Sequence, residues 1–424
     1  MERRLIKQIL LDQQNEIKII FKEKVIVKRE IEEQVQKALK SPLIKIITGV
    51  RRSGKSFLSL KVLSEKKFGY VNFDDERLAG ADTKDLNDFL EVLQEINPDL
   101  EYLFFDEIQN IYGWELFVNR LKRSGYNILI TGSNSKLLSK ELATHLTGRH
   151  LLLELYPFSF KEFLSYKNIE IKDNDFYITG KRAQIKRLLG EYLNNGGFAE
   201  TFKIDQKKQY LRDLYDKIIT RDIALRRKIK HLKSLKEIAL YLISNFGSNI
   251  TYHKLKNIFE IKSVHTVKNY VDYLEETYLI FQLNPFSFKL KEVIKGSRKI
   301  YGIDTGLVNS ISAISSPNTG RIMENAVFLE LKRKNKEIYF YNTSTGGEID
   351  FAVKEKRKIS QLIQVCFDLS DVNTKAREIK SLIKASKELK CDNLLIITDD
   401  FEHEEKISSK KIKYVPLWKW LLEN

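Results

Sequence analysis

Short, largely apolar runs alternate with segments of helical periodicity in the first third of the chain. The runs Leu43–Thr48 and Tyr102–Phe105 contain four to six residues, a length typical of strands buried in a parallel sheet. After the first run, apolar residues recur at helical spacing at Phe57, Leu60 and Leu63. Strands that alternate with helices are the repeating pattern of α/β proteins. The pattern therefore predicts an α/β fold with a parallel sheet.

The middle of the chain has mostly helical patterning. Gly196 and Gly197 predict the end of one helix. Three short helices and two strands are then predicted at Leu235–Phe246, Thr251–Phe259, Val264–Thr277, Tyr278–Leu283 and around Phe286–Lys291. This order predicts a winged helix-turn-helix whose outward polar residues are Ser263, His265, Thr266, Lys268 and Asn269. Winged helices bind DNA or proteins, so both classes of partner stay open.

Composition limits the class of protein. Hydrophobic residues make up 42% and charged residues 31% of the 424 residues, which is typical of a globular chain. No apolar stretch approaches the roughly 20 residues that span a bilayer, and the two cysteines are too few for a disulfide framework or a thiolate metal site. We therefore expect no membrane span and a reducing cytoplasm. The formal net charge of +16 indicates either a nucleic-acid partner or an ordinary lysine-rich surface.

A glycine-bracketed loop follows the first predicted strand. Its residues fit G-x-x-x-x-G-K-[ST], and a helical pattern follows them, which is the context that a P-loop requires. We predict that the loop and the first helical turn bind a nucleotide through Gly49, Val50, Arg51, Arg52, Ser53, Gly54, Lys55, Ser56 and Phe57. Backbone N–H groups would surround the phosphates, Lys55 would neutralise their charge, and Ser56 would ligate Mg²⁺.

Polar residues also follow the next two predicted strands. Asp106 and Glu107 lie at the end of Tyr102–Phe105, where open α/β sheets bind ligands. We predict that Asp106 holds Mg²⁺ and that Glu107 orients the attacking water. Ser133 and Asn134, after the strand Tyr126–Thr131, are predicted to sense the γ-phosphate or the water, although a turn or helix cap has the same pattern.

Arg149 precedes a further apolar strand. An arginine at this place can stabilise the charge of the transition state, in its own chain or across a subunit boundary. It can equally form a surface ion pair. The site therefore includes Arg149 as a third catalytic residue beside Lys55 and Glu107, and homo-oligomer formation stays open.

The motif series resembles a prokaryotic family of AAA-type P-loop ATPases. The matching segments are GVRRSGKS, FFDEIQN, ITGSNS, LTGRH, YPFSFKEFL and NNGGFAE, in the order of the family. The resemblance implies ATP and Mg²⁺ as cofactors, a winged-helix module and a C-terminal domain like the PD-(D/E)xK nucleases. The implied domains are an ATPase domain with an N-terminal helix at 1–160, a helical linker at 161–234, a winged helix at 235–300 and the nuclease-like domain at 301–424.

The nuclease-like domain departs from the pattern of active enzymes. Glu324 and Asp350 stand where the first two acids are expected, but Gln364-Val365-Cys366 replaces the E-x-K tripeptide. Neutral Gln and Cys supply neither the second metal ligand nor the ammonium group. We therefore predict no metal-dependent cleavage of DNA, unless Lys375 or Glu378 has migrated into the site.

Two functions remain open from the sequence. The first is an ATP-hydrolysing switch or motor associated with nucleic acid, which the acidic pair and the net charge favour. The second is a regulator or scaffold that binds ATP and a protein partner with incidental turnover.

Overall fold

The computed structural model describes residues 1–23, 26–133, 148–313, 318–407 and 409–423. The chain forms two compact units. Unit 1 consists of Met1–Tyr156 and Glu276–Tyr278, and unit 2 consists of Pro157–Glu275 and Leu279–Asn424. The four domain ranges given above stay a prediction.

Unit 1 is built on a parallel sheet, which confirms the predicted α/β class. Its strands are β1 (Ile44–Thr48), β2 (Phe68–Asn72), β3 (Tyr102–Asp106), β4 (Asn127–Gly132) and β5 (His150–Glu154). They lie in the order β2-β3-β4-β1-β5, and every pairing is parallel. The predicted buried runs are strands β1, β3 and β4 of this sheet.

Helices cover both faces of this sheet. They are α1 (Arg3–Glu23), α2 (Glu32–Leu39), α3 (Lys55–Leu63), α4 (Leu86–Ile96) and α5 (Trp114–Arg123). Consecutive strand residues belong to different apolar clusters: Ile46 and Phe105 pack in one, and Ile47 and Phe104 in the other. Side chains alternate between the faces of a strand, so a sheet buried on both faces needs continuous apolar runs.

Unit 2 begins with a helical region. Its helices are α6 (Phe160–Tyr166), α7 (Thr179–Asn195), α8 (Lys207–Lys217), α9 (Leu232–Ser244), α10 (Tyr252–Ile258), α11 (Val264–Glu276, ending in unit 1), α12 (Leu290–Lys295) and α13 (Thr305–Ile311). Helix α7 ends at Asn195, and its C-cap is Gly196, as the glycine pair predicted. A side chain at Gly196 would come within 1.9 Å of Asp304 Oδ1, so this close approach requires glycine.

A small antiparallel sheet corrects one strand prediction. Its strands are β6 (Asn249–Ile250), β7 (Ile280–Leu283) and β8 (Arg298–Gly302), in the order β6-β8-β7. The predicted strand around Phe286–Lys291 is absent, and β7 pairs with β8 instead. Phe286, Phe288 and Leu290 alternate like strand residues, but Phe288 is 83% exposed and Leu290 starts α12.

A six-stranded mixed sheet completes unit 2. Its strands are β9 (Glu337–Asn342), β10 (Glu348–Glu355), β11 (Lys358–Cys366), β12 (Leu394–Thr398), β13 (His403–Ile407) and β14 (Lys410–Pro416). Their order is β13-β14-β12-β11-β10-β9. The accompanying helices are α14 (Thr319–Arg333), α15 (Val372–Leu389) and α16 (Leu417–Glu423). Among the described residues, no helix is long and apolar enough to cross a membrane.

Candidate functional site

The sheet order of unit 1 brings the predicted site residues to one edge. β1 and β3 both lie beside β4, and all three strands run in the same direction. Gly49, Asp106 and Ser133 therefore leave the sheet at neighbouring points of its carboxyl edge. This is the edge at which open parallel sheets bind ligands.

The P-loop backbone needs both of its glycines. Gly49 has φ +152°, and a Cβ there would lie 2.1 Å from the carbonyl oxygen of Leu155. Gly54, with φ +93°, is the N-cap of α3, and Arg52 is also left-handed. The loop is closed by a hydrogen bond from the Ser53 N–H to the Val50 carbonyl at 3.2 Å.

Lys55 lies inside the loop. Its side chain is 5% exposed, and its Nζ donates to the carbonyls of Gly49 at 3.0 Å and Val50 at 3.1 Å. Beside it, the Ser53 hydroxyl is buried and has no hydrogen-bond partner among the described residues. A buried hydroxyl without a partner is rare in proteins, so the loop offers a donor and a cation to a ligand.

Two further predicted residues contact unit 1 away from the phosphate cradle. Arg51 Nη1 lies 3.9 Å from a carboxylate oxygen of Asp74. The ring of Phe57 packs 5.7 Å from the ring of Phe21, measured between centroids. Arg51 belongs to the loop, whereas Phe57 belongs to the first turn of α3.

Asp106 is buried at the end of β3. Its Oδ1 accepts a hydrogen bond from the Thr131 hydroxyl, and its Oδ2 accepts one from the Tyr70 hydroxyl at 3.3 Å. Ser56 lies near this carboxylate and favours its charged form. Burial, and next the charge of Glu107, raise the pKa of Asp106 to about 6 despite these hydrogen bonds. A carboxylate beside a serine hydroxyl fits the oxygen-rich ligand set of Mg²⁺.

Glu107 has a left-handed backbone, with φ +52°. Its Oε2 accepts hydrogen bonds from the Ser133 hydroxyl at 3.3 Å and from the Gln109 amide. Non-glycine residues adopt this conformation uncommonly, and such positions concentrate at functional sites. The structure thus brings Glu107 and Ser133 together. Asn134 lies outside the described residues.

Arg149 lies at the opposite edge of the sheet. Its carbonyl accepts a hydrogen bond from the Ile44 N–H at 2.9 Å, at the start of β1, whereas the P-loop follows the end of that strand. Five residues of strand separate the two places by roughly 16 Å. The exposed Arg149 guanidinium donates to Asn119 Oδ1 at 2.8 Å. The structure therefore does not bring Arg149 to the P-loop, and its catalytic role, in the same chain or across a subunit boundary, stays a prediction.

Arg29, a buried residue behind the P-loop, was not predicted from the sequence pattern. Its Nη1 donates to the Ser53 carbonyl at 3.0 Å, and its Nη2 donates to the Tyr156 carbonyl at 2.7 Å. The guanidinium thereby joins the loop to the segment after β5. The surrounding sequence is rich in Lys and Glu, so its pattern indicates an exposed helix start and gives no signal for this contact.

Tyr278 was also missed. Its buried hydroxyl lies 2.7 Å from Thr48 Oγ1, directly before the P-loop, and donates to Glu154 Oε1 at 2.9 Å. Tyr278 has φ +62°, which is uncommon for a tyrosine. No local pattern could show that this residue belongs to unit 1.

Unit 2 contains a second cluster of predicted residues. Glu324 of α14, Asp350 of β10 and Gln364 of β11 line one cavity of about 500 Å³. Lys299, which the sequence analysis did not select, binds both acids through its ammonium group.

Lys375 and Glu378 were considered as substitutes for the missing E-x-K residues, and only Glu378 lies at the cavity. Glu378 lines the cavity and accepts a hydrogen bond from Gln364. Lys375 does not line it: its Nζ lies 3.5 Å from Glu405 and 5.4 Å from the centre of the Tyr414 ring. The prediction that Lys375 could complete the site is therefore wrong: Lys375 lies outside the cavity and pairs with Glu405.

Three family models match consecutive parts of the chain. A model described as an AAA domain matches residues 41–164. Two models of domains of unknown function, DUF8612 and DUF4143, match residues 186–318 and 319–420.

Two relatives that match along most of their length are described as uncharacterized proteins. The protein MJ1544 of Methanocaldococcus jannaschii is 41% identical over 437 aligned positions, which cover 99% of this chain and 95% of the relative. A protein of Haemophilus influenzae is 32% identical, covering 88% of this chain and 94% of its own length. Among solved structures, the Walker-type ATPase PABY2304 of Pyrococcus abyssi shares 17% identity with a TM-score of 0.41, covering 68% of this chain and 96% of its own.

Because MJ1544 matches over almost the whole length of both chains, this chain belongs to the same protein family as MJ1544, and the part of it that matches the AAA domain model contains the P-loop and the acidic pair.

Proposed function

We propose that unit 1 binds ATP with Mg²⁺ and hydrolyses it. The observation that carries the proposal is the convergence of Lys55, the Ser56–Asp106 pair and the Glu107–Ser133 pair at one edge of the sheet. Each pair supplies a different part of phosphoryl-transfer chemistry.

The loop binds the phosphates. Its backbone N–H groups lie at the N-terminus of α3, where the helix dipole favours negative charge. Lys55 and the unpartnered Ser53 hydroxyl add a cation and a donor to the same cradle. Ser56 and Asp106 would hold Mg²⁺, which when bound offsets the negative charge of the phosphates.

Glu107 acts on the attacking water. Its carboxylate is the acceptor that can orient water and take its proton, and the Ser133 hydroxyl holds that carboxylate in place. Gln109 donates to the same oxygen and adds a second restraint.

The test compares Lys55→Ala with Lys66→Ala, a control that removes an exposed lysine just after α3. We expect Lys55→Ala to abolish ATP binding or turnover, because the phosphate charge is left uncompensated, and Lys66→Ala to behave as the wild type. Equal turnover by Lys55→Ala and wild type would overturn the proposal.

We further propose that unit 2 binds DNA and couples that binding to ATP turnover. The support is the net charge of +16 and the arrangement of α9, α10, α11 and the small sheet, which is that expected of a winged helix. His265 and Lys268 are exposed on α11. ATPase rates measured with and without duplex and single-stranded DNA test this proposal. A rate unchanged by either DNA, together with no DNA binding, would favour the protein-binding regulator instead.

A further inference from the structure

A buried lysine pairs with three carboxylates that line the cavity of unit 2. Lys299 lies on β8 with 2% of its side chain exposed. Its Nζ lies 2.9 Å from Glu324 Oε1, 2.7 Å from Glu348 Oε1 and 2.9 Å from Asp350 Oδ1. An ammonium group has three donors and no acceptor. Two of the contacts, to Glu324 and Asp350, are hydrogen bonds, and the contact with Glu348 is an ion pair.

The carboxylates are held by other donors as well. The Tyr301 hydroxyl donates to Glu324 Oε1 at 2.6 Å, and the Val365 N–H donates to Asp350 Oδ2 at 3.0 Å. Both oxygens of Asp350 are thus engaged. The ammonium group therefore competes with any divalent cation for these carboxylates, because a metal ion binds the same oxygen-rich groups.

Gln364 does not replace the missing metal-binding carboxylate. Its Oε1 accepts from the Asp350 N–H at 3.2 Å, and its Nε2 donates to the Glu348 carbonyl at 3.3 Å and to Glu378. The side chain therefore ties β10 to α15 through its amide. Among the residues that the structure describes, no group of three or more His, Cys, Asp and Glu side chains is arranged to hold a metal ion. The residues present do not fit a nuclease-type metal site.

One ammonium group faces three carboxylates in this cluster, so it offsets only part of their charge, and burial followed by the charge of Asp350 raises the pKa of Glu324 above its ordinary value. Burial lowers the pKa of Lys299, but the carboxylates, Asp350 first, outweigh burial and raise this pKa well above its ordinary value. Buried carboxylates close to each other need a cation to stay ionised. Lys299 provides it from within the chain.

We propose that the Lys299 ammonium group is a built-in cation in this cavity, and that the cavity binds a divalent metal ion only when Lys299 is removed. The proposal concerns unit 2 alone and does not depend on ATP hydrolysis by unit 1.

The test is a Mn²⁺ titration followed by electron paramagnetic resonance, on full-length protein without nucleotide. All proteins carry Asp106→Asn, so that the P-loop site contributes no metal. We expect no bound Mn²⁺ in this parent or with Lys299→Arg, which keeps the charge. Lys299→Met should bind one equivalent, and adding Asp350→Asn to it should remove that equivalent. A folded Lys299→Met protein that binds no Mn²⁺ would overturn the proposal.

A second comparison covers the case in which Lys299→Met does not fold. The parent and its Asp350→Asn variant should give the same Mn²⁺ titration, because Lys299 already excludes the metal. Mn²⁺ bound by the parent and lost in Asp350→Asn would show a working metal site and would refute the built-in cation.

Discussion

The guanidinium of Arg29 donates a hydrogen bond from Nη1 to the carbonyl of Ser53 at 3.0 Å, so a buried cation contacts the P-loop backbone. Its second bond, to the Tyr156 carbonyl, anchors the same side chain to the segment after β5. Arg29, 24 positions before Ser53, therefore helps to position the loop together with the glycines of the loop.

Replacing Arg29 should weaken nucleotide binding. Arg29→Met leaves two carbonyls without their charged donor, and an unsatisfied buried group costs about 1–3 kcal/mol. We expect a lower unfolding temperature and at least about tenfold weaker ATP binding, which corresponds to about 1.4 kcal/mol. The control is Lys28→Met, because Lys28 is exposed and pairs with Glu33 at the surface. Identical ATP affinities for the two variants would contradict a positioning role.

Glu107→Gln should separate binding from turnover. The amide keeps the size of the side chain but removes the charge that polarises water, while Asp106 and the P-loop stay intact. We expect normal ATP affinity and turnover reduced at least about 100-fold. Equilibrium binding and single-turnover rates measure the two quantities. If binding were lost together with turnover, Glu107 would have a structural role.

DNA binding should depend on α11 and on salt. Lys268→Glu places a negative charge on its exposed surface, so we expect weaker binding to duplex DNA of any sequence. The binding constant should fall steeply with salt, because cation–phosphate contacts release counterions. The matched control is Lys387→Glu, the same change on an exposed position of α15. Equal affinities of the two variants would exclude α11 as the DNA-binding surface.

Asp304 should make stability depend on pH. Burial raises the pKa of its carboxyl from 3.8 to about 6, although the N–H groups of Gly197 and Leu307 donate to it. The folded state then binds the proton more tightly than the unfolded chain. Its contribution to stability is complete below about pH 4 and is lost as the pH rises through about 6, by up to about 3 kcal/mol.

Denaturant unfolding at several pH values checks this dependence. Asp304→Asn cannot titrate and keeps an acceptor oxygen for only one of the two N–H groups. The variant should be less stable overall, but its free energy of unfolding should change less between pH 4 and 6 than in the wild type. The same slope in both proteins would assign the effect to other groups.

Local patterns predicted the elements and motifs of the nucleotide site. Largely apolar runs predicted β1, β3 and β4. Parallel sheets bind ligands at the carboxyl ends of their strands, so Asp106 and Ser133 were expected to lie near the P-loop, and the sheet order places them there. Apolar alternation alone was insufficient at Phe286–Lys291, because an exposed segment can carry the same pattern as a strand.

The missed residues all act over long distances in sequence. Lys299 and Asp350 are 51 positions apart, and Thr48 and Tyr278 are 230 apart. A lysine or tyrosine in an ordinary sequence environment gives no sign of the partner it meets after folding. Such pairs are decided by the tertiary arrangement, so a single sequence could not show them.

The three residues Glu276–Tyr278 have a practical consequence for dissecting the protein. A truncation after Tyr156 would seem to isolate the ATPase, since it retains all five strands and the P-loop. It would nevertheless delete the buried Tyr278 ring and leave Thr48 and Glu154 without its hydroxyl. Limited proteolysis between the two units would have the same effect. Unit 1 is thus discontinuous in sequence, and no single cut in the chain can release all of its residues together.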